Sequence, residues 1–116
     1  MNLYNVMAVF ELISGESVNA GWQSVVELSV SEVTRMLLPD ADPADERLEY
    51  LAASIANLKV QQILAASAKY ENAFVGKMKS NGEATTVKYA RSLMRDYCQM
   101  CSDLIKPQTF IFAAFS

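Results

Sequence analysis

Asp42-Pro43-Ala44-Asp45-Glu46-Arg47-Leu48-Glu49-Tyr50-Leu51-Ala52-Ala53-Ser54-Ile55-Ala56-Asn57-Leu58 is the stretch on which the fold turns. Asp42 is an N-cap acceptor, and Pro43 suits a first helical position, where its missing N–H costs nothing. Asp45 and Glu46 then place negative charge in the first turn, where the helix dipole favours it. From there Leu48, Leu51, Ile55 and Leu58 recur at helical spacing, and Val60, Ile63 and Leu64 widen the ridge. The polar strip is narrow, chiefly Ser54, Asn57 and Gln61, and Lys59 is the one charge between Glu49 and Lys69. A helix so nearly apolar all round has to be buried by several neighbours. It is therefore expected to run to about Ala68 or Tyr70 as the centre of a helical bundle.

Upstream, Pro39-Asp40-Ala41-Asp42-Pro43 interrupts the chain. The segment before it is rich in β-branched Val18, Val25, Val26, Val30 and Val33, which favours a strand by propensity alone. Its polar residues decide otherwise: Ser24, Glu27, Ser31 and Arg35 recur at helical spacing, with Trp22, Val25, Val26, Val33, Met36 and Leu37 on the other side. A helix from about Asn19 to Leu38 is expected. Further back, Leu3, Val6, Met7, Phe10 and Ile13 mark one face of a short first helix, and Gly15 supplies a left-handed stop.

Downstream the helical pattern lapses between Glu71 and Thr86, where Gly76 and Asn81-Gly82 are turn formers. A last helix follows, with Val87, Ala90, Met94, Tyr97, Cys101, Leu104 and Ile105 on one face and Lys88, Arg91, Arg95, Gln99 and Ser102 on the other, ended by Pro107. The tail Phe110-Ile111-Phe112-Ala113-Ala114-Phe115 is strongly apolar. The fold expected over residues 1–116 is a single all-α domain. It is a small bundle of three long helices plus a short N-terminal helix, with a protruding loop or hairpin near 71–86 and an extended aromatic C-terminal tail.

Composition narrows the function. Hydrophobic residues make up 52% of the 116 and charged residues 20%, an apolar excess that favours a self-associating or partner-bound protein. A net charge of −3, with Lys and Arg scattered singly, offers no basic stripe for a phosphate backbone, so direct nucleic-acid binding is not expected. No positive leader and no long apolar run suggest export or a membrane span, and a cytoplasmic location is expected.

The chain contains no histidine, which removes the commonest general base and metal ligand near neutral pH. Cys98-Gln99-Met100-Cys101 is a C-x-x-C late in a helix, where the dipole that activates redox thiols at helix N-termini is missing, and two cysteines cannot complete a zinc site within one chain. The acidic run Asp40, Asp42, Asp45, Glu46 lacks the glycine and the distant glutamate of a calcium loop and is better explained by helix capping. Lys69, Lys77 and Lys79 give the loop region a basic flavour that suits either solvent or an acidic partner. No phosphate-binding or nucleophile-elbow motif occurs. No enzyme activity, cofactor, metal or catalytic residue is expected. Partner binding is expected at Phe74 and Val75 in the loop and at Phe110, Ile111, Phe112 and Phe115 in the tail. Folded back, the tail would close its own core; laid on a neighbouring subunit, it would be an interface anchor.

Three features taken in order carry a resemblance: Val9-Phe10-Glu11-Leu12-Ile13-Ser14-Gly15, the Asp42–Leu48 opening of an Ala-rich helix, and a loop with Phe74 and Gly76 that leads to a long helix and Phe110-Ile111-Phe112. Together they resemble the head-to-tail connector, or head-completion adaptor, proteins of tailed bacteriophages and Gram-positive prophages. The resemblance spans most of the chain through its architecture and carries no motif of functional residues. It implies a structural virion component that forms a homo-oligomeric ring between the portal and the next neck or tail protein. The loop and termini would reach neighbouring subunits. The alternative is a cytoplasmic helical adaptor or regulator that binds one protein partner.

Overall fold

A computed structural model describes residues 1–74 and 84–107, and their side chains apart from those of residues 68–74. Among the described residues the chain forms four helices and no strand beyond one isolated bridge, so the bundle is all-α: α1 (Leu3–Ser14), α2 (Ala20–Met36), α3 (Glu46–Phe74) and α4 (Thr85–Met100).

Local chemistry sets most of these boundaries. Asn2 caps α1, its Oδ1 accepting from the N–H groups of Tyr4 and Asn5 at 2.9 and 3.2 Å. Gly15 closes that helix at φ 74°, a left-handed conformation that glycine adopts without a Cβ penalty, and donates to the Glu11 carbonyl at 3.1 Å. Asn19 caps α2 through Trp22 N–H at 2.8 Å. The helix buries Val26, Ser29 and Val33, so polar spacing does prevail over β-branched propensity. α2 ends two residues short of the expected Leu38, because Leu38 precedes a proline and the backbone has already turned extended at Leu37. There Leu37 bridges Ile105: Leu38 N–H donates to Leu104 O at 2.9 Å, and Lys106 N–H to Met36 O at 2.8 Å.

Asp42 and Pro43 do not open α3. Pro39 and Pro43 instead each occupy the second position of a β-turn, with Ala41 N–H on Leu38 O at 3.0 Å and Asp45 N–H on Asp42 O at 3.1 Å. Asp42 turns its carboxylate to Ala44 N–H at 2.9 Å. The capping role falls to Asp45, whose Oδ1 accepts from Arg47 N–H at 3.0 Å, and the helix starts at Glu46. At its other end α3 passes the expected limit of Tyr70 and reaches Phe74, because Glu71-Asn72-Ala73-Phe74 contains neither glycine nor proline and Gly76 is the first breaker. α4 already includes Thr85 and Thr86, so what remains of the expected loop or hairpin, residues 75–83, lies outside the described residues. α4 stops at Met100, well before Pro107, as Ser102 N–H and Leu104 N–H bond three residues back to Gln99 O and Cys101 O. Leu104 and Ile105 are nonetheless buried, from a turn and the bridge instead of a helix face.

At 29 residues α3 is about 43 Å long. α1 runs beside it in the same direction: Asn2 and Asn5 meet Glu49, while Ile13 and Ser14 stand beside Asn57 and Gln61. α4 runs the opposite way, from Thr86 and Tyr89 near Gln61 down to Asp103 at Arg47. Leu48, Glu49 and Leu51 through Leu58 are buried, as is Val60, while Tyr50 stands 40% exposed, and Ala52, Ala53 and Ala56 let neighbours approach from more than one side. The expectation of burial fails above that point. Gln62, Ile63, Leu64, Ala66 and Ser67 are exposed, because α3 outruns the helices that flank it.

Candidate interaction surface

Two ends of the bundle differ in chemistry. At the lower end Arg47 organises the structure: its guanidinium bonds both oxygens of Asp45 at 3.1 and 2.9 Å, both oxygens of Asp103 at 3.0 and 3.1 Å, and the Met100 carbonyl at 3.1 Å. This bracket ties the start of α3 to the turn after α4. Hydrogen bonds from Arg47 hold the Asp45 and Asp103 carboxyls below the usual carboxylate range, and the two aspartates push the guanidinium up. The acidic run is thus divided between a turn at Asp42 and a cap and ion pair at Asp45. Beside it a polar hollow is lined by Met1, Asn2, Asn5, Ala44, Glu46 and Glu49. Glu49 already accepts from Asn2 N–H at 2.8 Å and from the Asn5 amide at 3.4 Å, which accounts for its burial.

Cys98 and Cys101 are both free and buried. Burial pushes the Cys98 thiol up and the Cys101 thiol to about 11, so both are thiols at neutral pH. Cys101 stands at the C-cap of α4, the negative end of the helix dipole, and its Sγ–H donates to the Arg47 carbonyl at 3.5 Å. These are core groups placed against nucleophilic activation.

Among the described residues, the upper end mixes apolar and uncharged polar groups around a cleft. The last turn of α1, the middle of α3 and the first turns of α4 enclose a cleft of about 230 Å³ lined by Ile13, Ser14, Asn57, Gln61, Thr86, Tyr89, Ala90 and Leu93. Gln61 Nε2 donates to Asn57 Oδ1 at 3.2 Å, one turn apart on α3, so the amides form one polar wall. Tyr89 stands 73% exposed at the rim, and Ile63 and Leu64 continue up α3 at 46% and 37% exposure. The geometry suits an apolar side chain flanked by peptide groups.

Of the residues expected to bind partners, Phe74 is the last residue of α3, with its side chain outside the description. Val75, Phe110, Ile111, Phe112 and Phe115 lie outside the described residues. The cleft and the exposed Ile63, Leu64 and Tyr89 were not anticipated, since periodicity reports which side of a helix is apolar and not how far its neighbours extend. The signal available was length: an apolar helix of this reach exceeds the short α1 that packs beside it. Other large apolar side chains stand exposed elsewhere, among them Tyr4 at 78% and Leu12 at 80% on the outward face of α1. Among the described residues no helix is long and apolar enough to cross a membrane. No family model, curated protein or solved structure matches the chain.

Proposed function

We propose that this chain is a structural assembly protein, of the head-to-tail connector type that its sequence resembles, which works by joining protein partners and not by catalysis. The observation that carries the reading is the change along α3, from burial of every residue in Leu51–Leu58 to exposed Ile63 and Leu64 above a cleft of mixed polar and apolar lining. Solvent-exposed apolar surface of this kind is what a binding partner removes from water. The lower end adds a rigid foot: Arg47 bonds Asp45, Asp103 and the Met100 carbonyl at once. The partners on this reading are further copies of the chain, the portal, and the neck or tail protein beyond it.

A single cleft also suits a helical adaptor that binds one partner element, and the two readings diverge in stoichiometry. The test is electron microscopy and light scattering of the purified chain mixed with a candidate portal protein. A ring of many copies seated on the portal supports the connector reading. Indifference to the portal, together with a fixed one-to-one complex with some other protein, contradicts it.

A further inference from the structure

The four helices are not equally held. α1 and α2 pack on each other as well as on α3, whereas α4 packs on α3 alone, and the cleft lies between its first turns and α1. Helices α1, α2 and α3 also open on side-chain caps, from Asn2, Asn19 and Asp45. α4 opens on Ala84, which is extended at φ −59° and ψ 146° and has no side-chain oxygen to offer the first N–H groups. The residues that follow, Thr85-Thr86-Val87, are all β-branched and poor helix formers. Within the helix the first charge is Lys88 and the last is Asp96, each of the sign that the dipole disfavours at its end.

Packing along α4 is as uneven as its local chemistry. In the first two turns Thr85, Thr86, Lys88 and Tyr89 are exposed, and only Val87 and Ala90 are buried. Beyond them Met94, Cys98, Cys101, Leu104 and Ile105 are all buried. Directional bonds fasten this lower end as well. Arg47 donates to both oxygens of Asp103 at 3.0 and 3.1 Å and to the Met100 carbonyl at 3.1 Å. Leu38 N–H donates to Leu104 O at 2.9 Å and Lys106 N–H to Met36 O at 2.8 Å, which ties the strap of residues 101–106 to the end of α2.

We infer that α4 is a hinged arm, whose first two turns, residues 85–92, unwind and lift from α3 while the turns from Met94 onward and the strap stay docked. Thr86, Tyr89 and Ala90 supply most of the α4 wall of the cleft. Opening removes that wall and turns a hollow of about 230 Å³ into an open-sided groove floored by Asn57 and Gln61, with the lower bundle intact. A segment with few buried apolar contacts and an uncapped end opens at a lower free energy than the whole domain does. The inference concerns the isolated subunit, and it stands or falls apart from the assembly reading.

Amide hydrogen exchange of the full chain in dilute solution tests it. Amides 88–92 should exchange about tenfold faster than amides 97–101, or more. Ala84→Asp supplies the missing cap and should slow amides 88–92 by about five-fold while leaving amides 97–101 unchanged. A second probe, Ala90→Cys, places a thiol beneath the lifting turns. A maleimide should label it, and adding Ala84→Asp should slow that labelling by the same factor without changing the labelling of the buried Cys98 and Cys101. Three results overturn the inference. They are equal protection from 88 through 101, slowing by Ala84→Asp that is the same in both halves and so makes α4 open as one unit, and labelling at position 90 that the cap leaves unchanged.

Discussion

The two halves of α3 are one continuous helix of similar composition, yet they do opposite things. Leu51 to Val60 is wrapped by α1, α2 and α4, while from Gln62 to Ser67 every residue but the half-buried Ala65 is exposed. In the lower half Lys59 pairs with Glu32 of α2 at 3.2 Å, and the first turn relies on the Asp45 cap. The difference lies in the neighbours. α1 has 12 residues and α4 has 16, against 29 in α3, so the flanking helices run out before the central one does. An apolar ridge becomes core where it is covered and a docking surface where it is not.

Substitutions can break that contrast, and the largest effect belongs to the covered half. Leu51→Ala removes a fully buried side chain and should cost about 2–5 kcal/mol, read as a lower midpoint in urea unfolding. Asn2→Ala removes the cap of α1 and should cost about 1 kcal/mol. Because α1 flanks only the covered half, the extra amide exchange should appear in α1 and around Glu49 and leave residues 62–74 unchanged. Leu64→Ser, in the uncovered half, should change the stability of the isolated subunit by no more than about 0.5 kcal/mol. It should reduce self-association instead, which concentration-dependent light scattering reads.

The smallest expected effect concerns pH. Asp45 and Asp103 have carboxyls lowered by Arg47, so the stability they contribute is present above the unfolded carboxylate pKa of about 3.9 and fades as pH falls through their folded values. Asp103 is exposed and Asp45 half-buried at the surface, where solvent screens the pair, so the acid limb should be shallow. Arg47→Met should flatten it further, measured as the melting temperature between pH 6 and the acid transition.

Much of the fold was legible because local signals and packing agree. Polar spacing at Ser24, Glu27, Ser31 and Arg35 identified α2 against β-branched propensity, and Gly15 marked the end of α1. The opening of α3 was misplaced by three residues because Asp42-Pro43 fits a β-turn as well as it fits a helix start, and only the long-range bonds of Arg47 select Asp45 as the cap. The end of α4 was misplaced because Leu104 and Ile105 satisfy a helical period while being buried by a turn and a bridge. The interaction surface was the least legible part. Ile63 and Leu64 look like Ile55 and Leu58 in sequence, and their difference is set by where α1 and α4 stop.

Amide hydrogen exchange along α3 tests the central claim most directly. In dilute solution, amides from Leu51 to Val60 should exchange only through global unfolding, those from Gln62 to Phe74 many-fold faster, and the second group alone should gain protection as concentration rises. Equal protection along the whole helix at low concentration, or no gain above Gln62 on assembly, would contradict the division of α3 into a core half and a docking half.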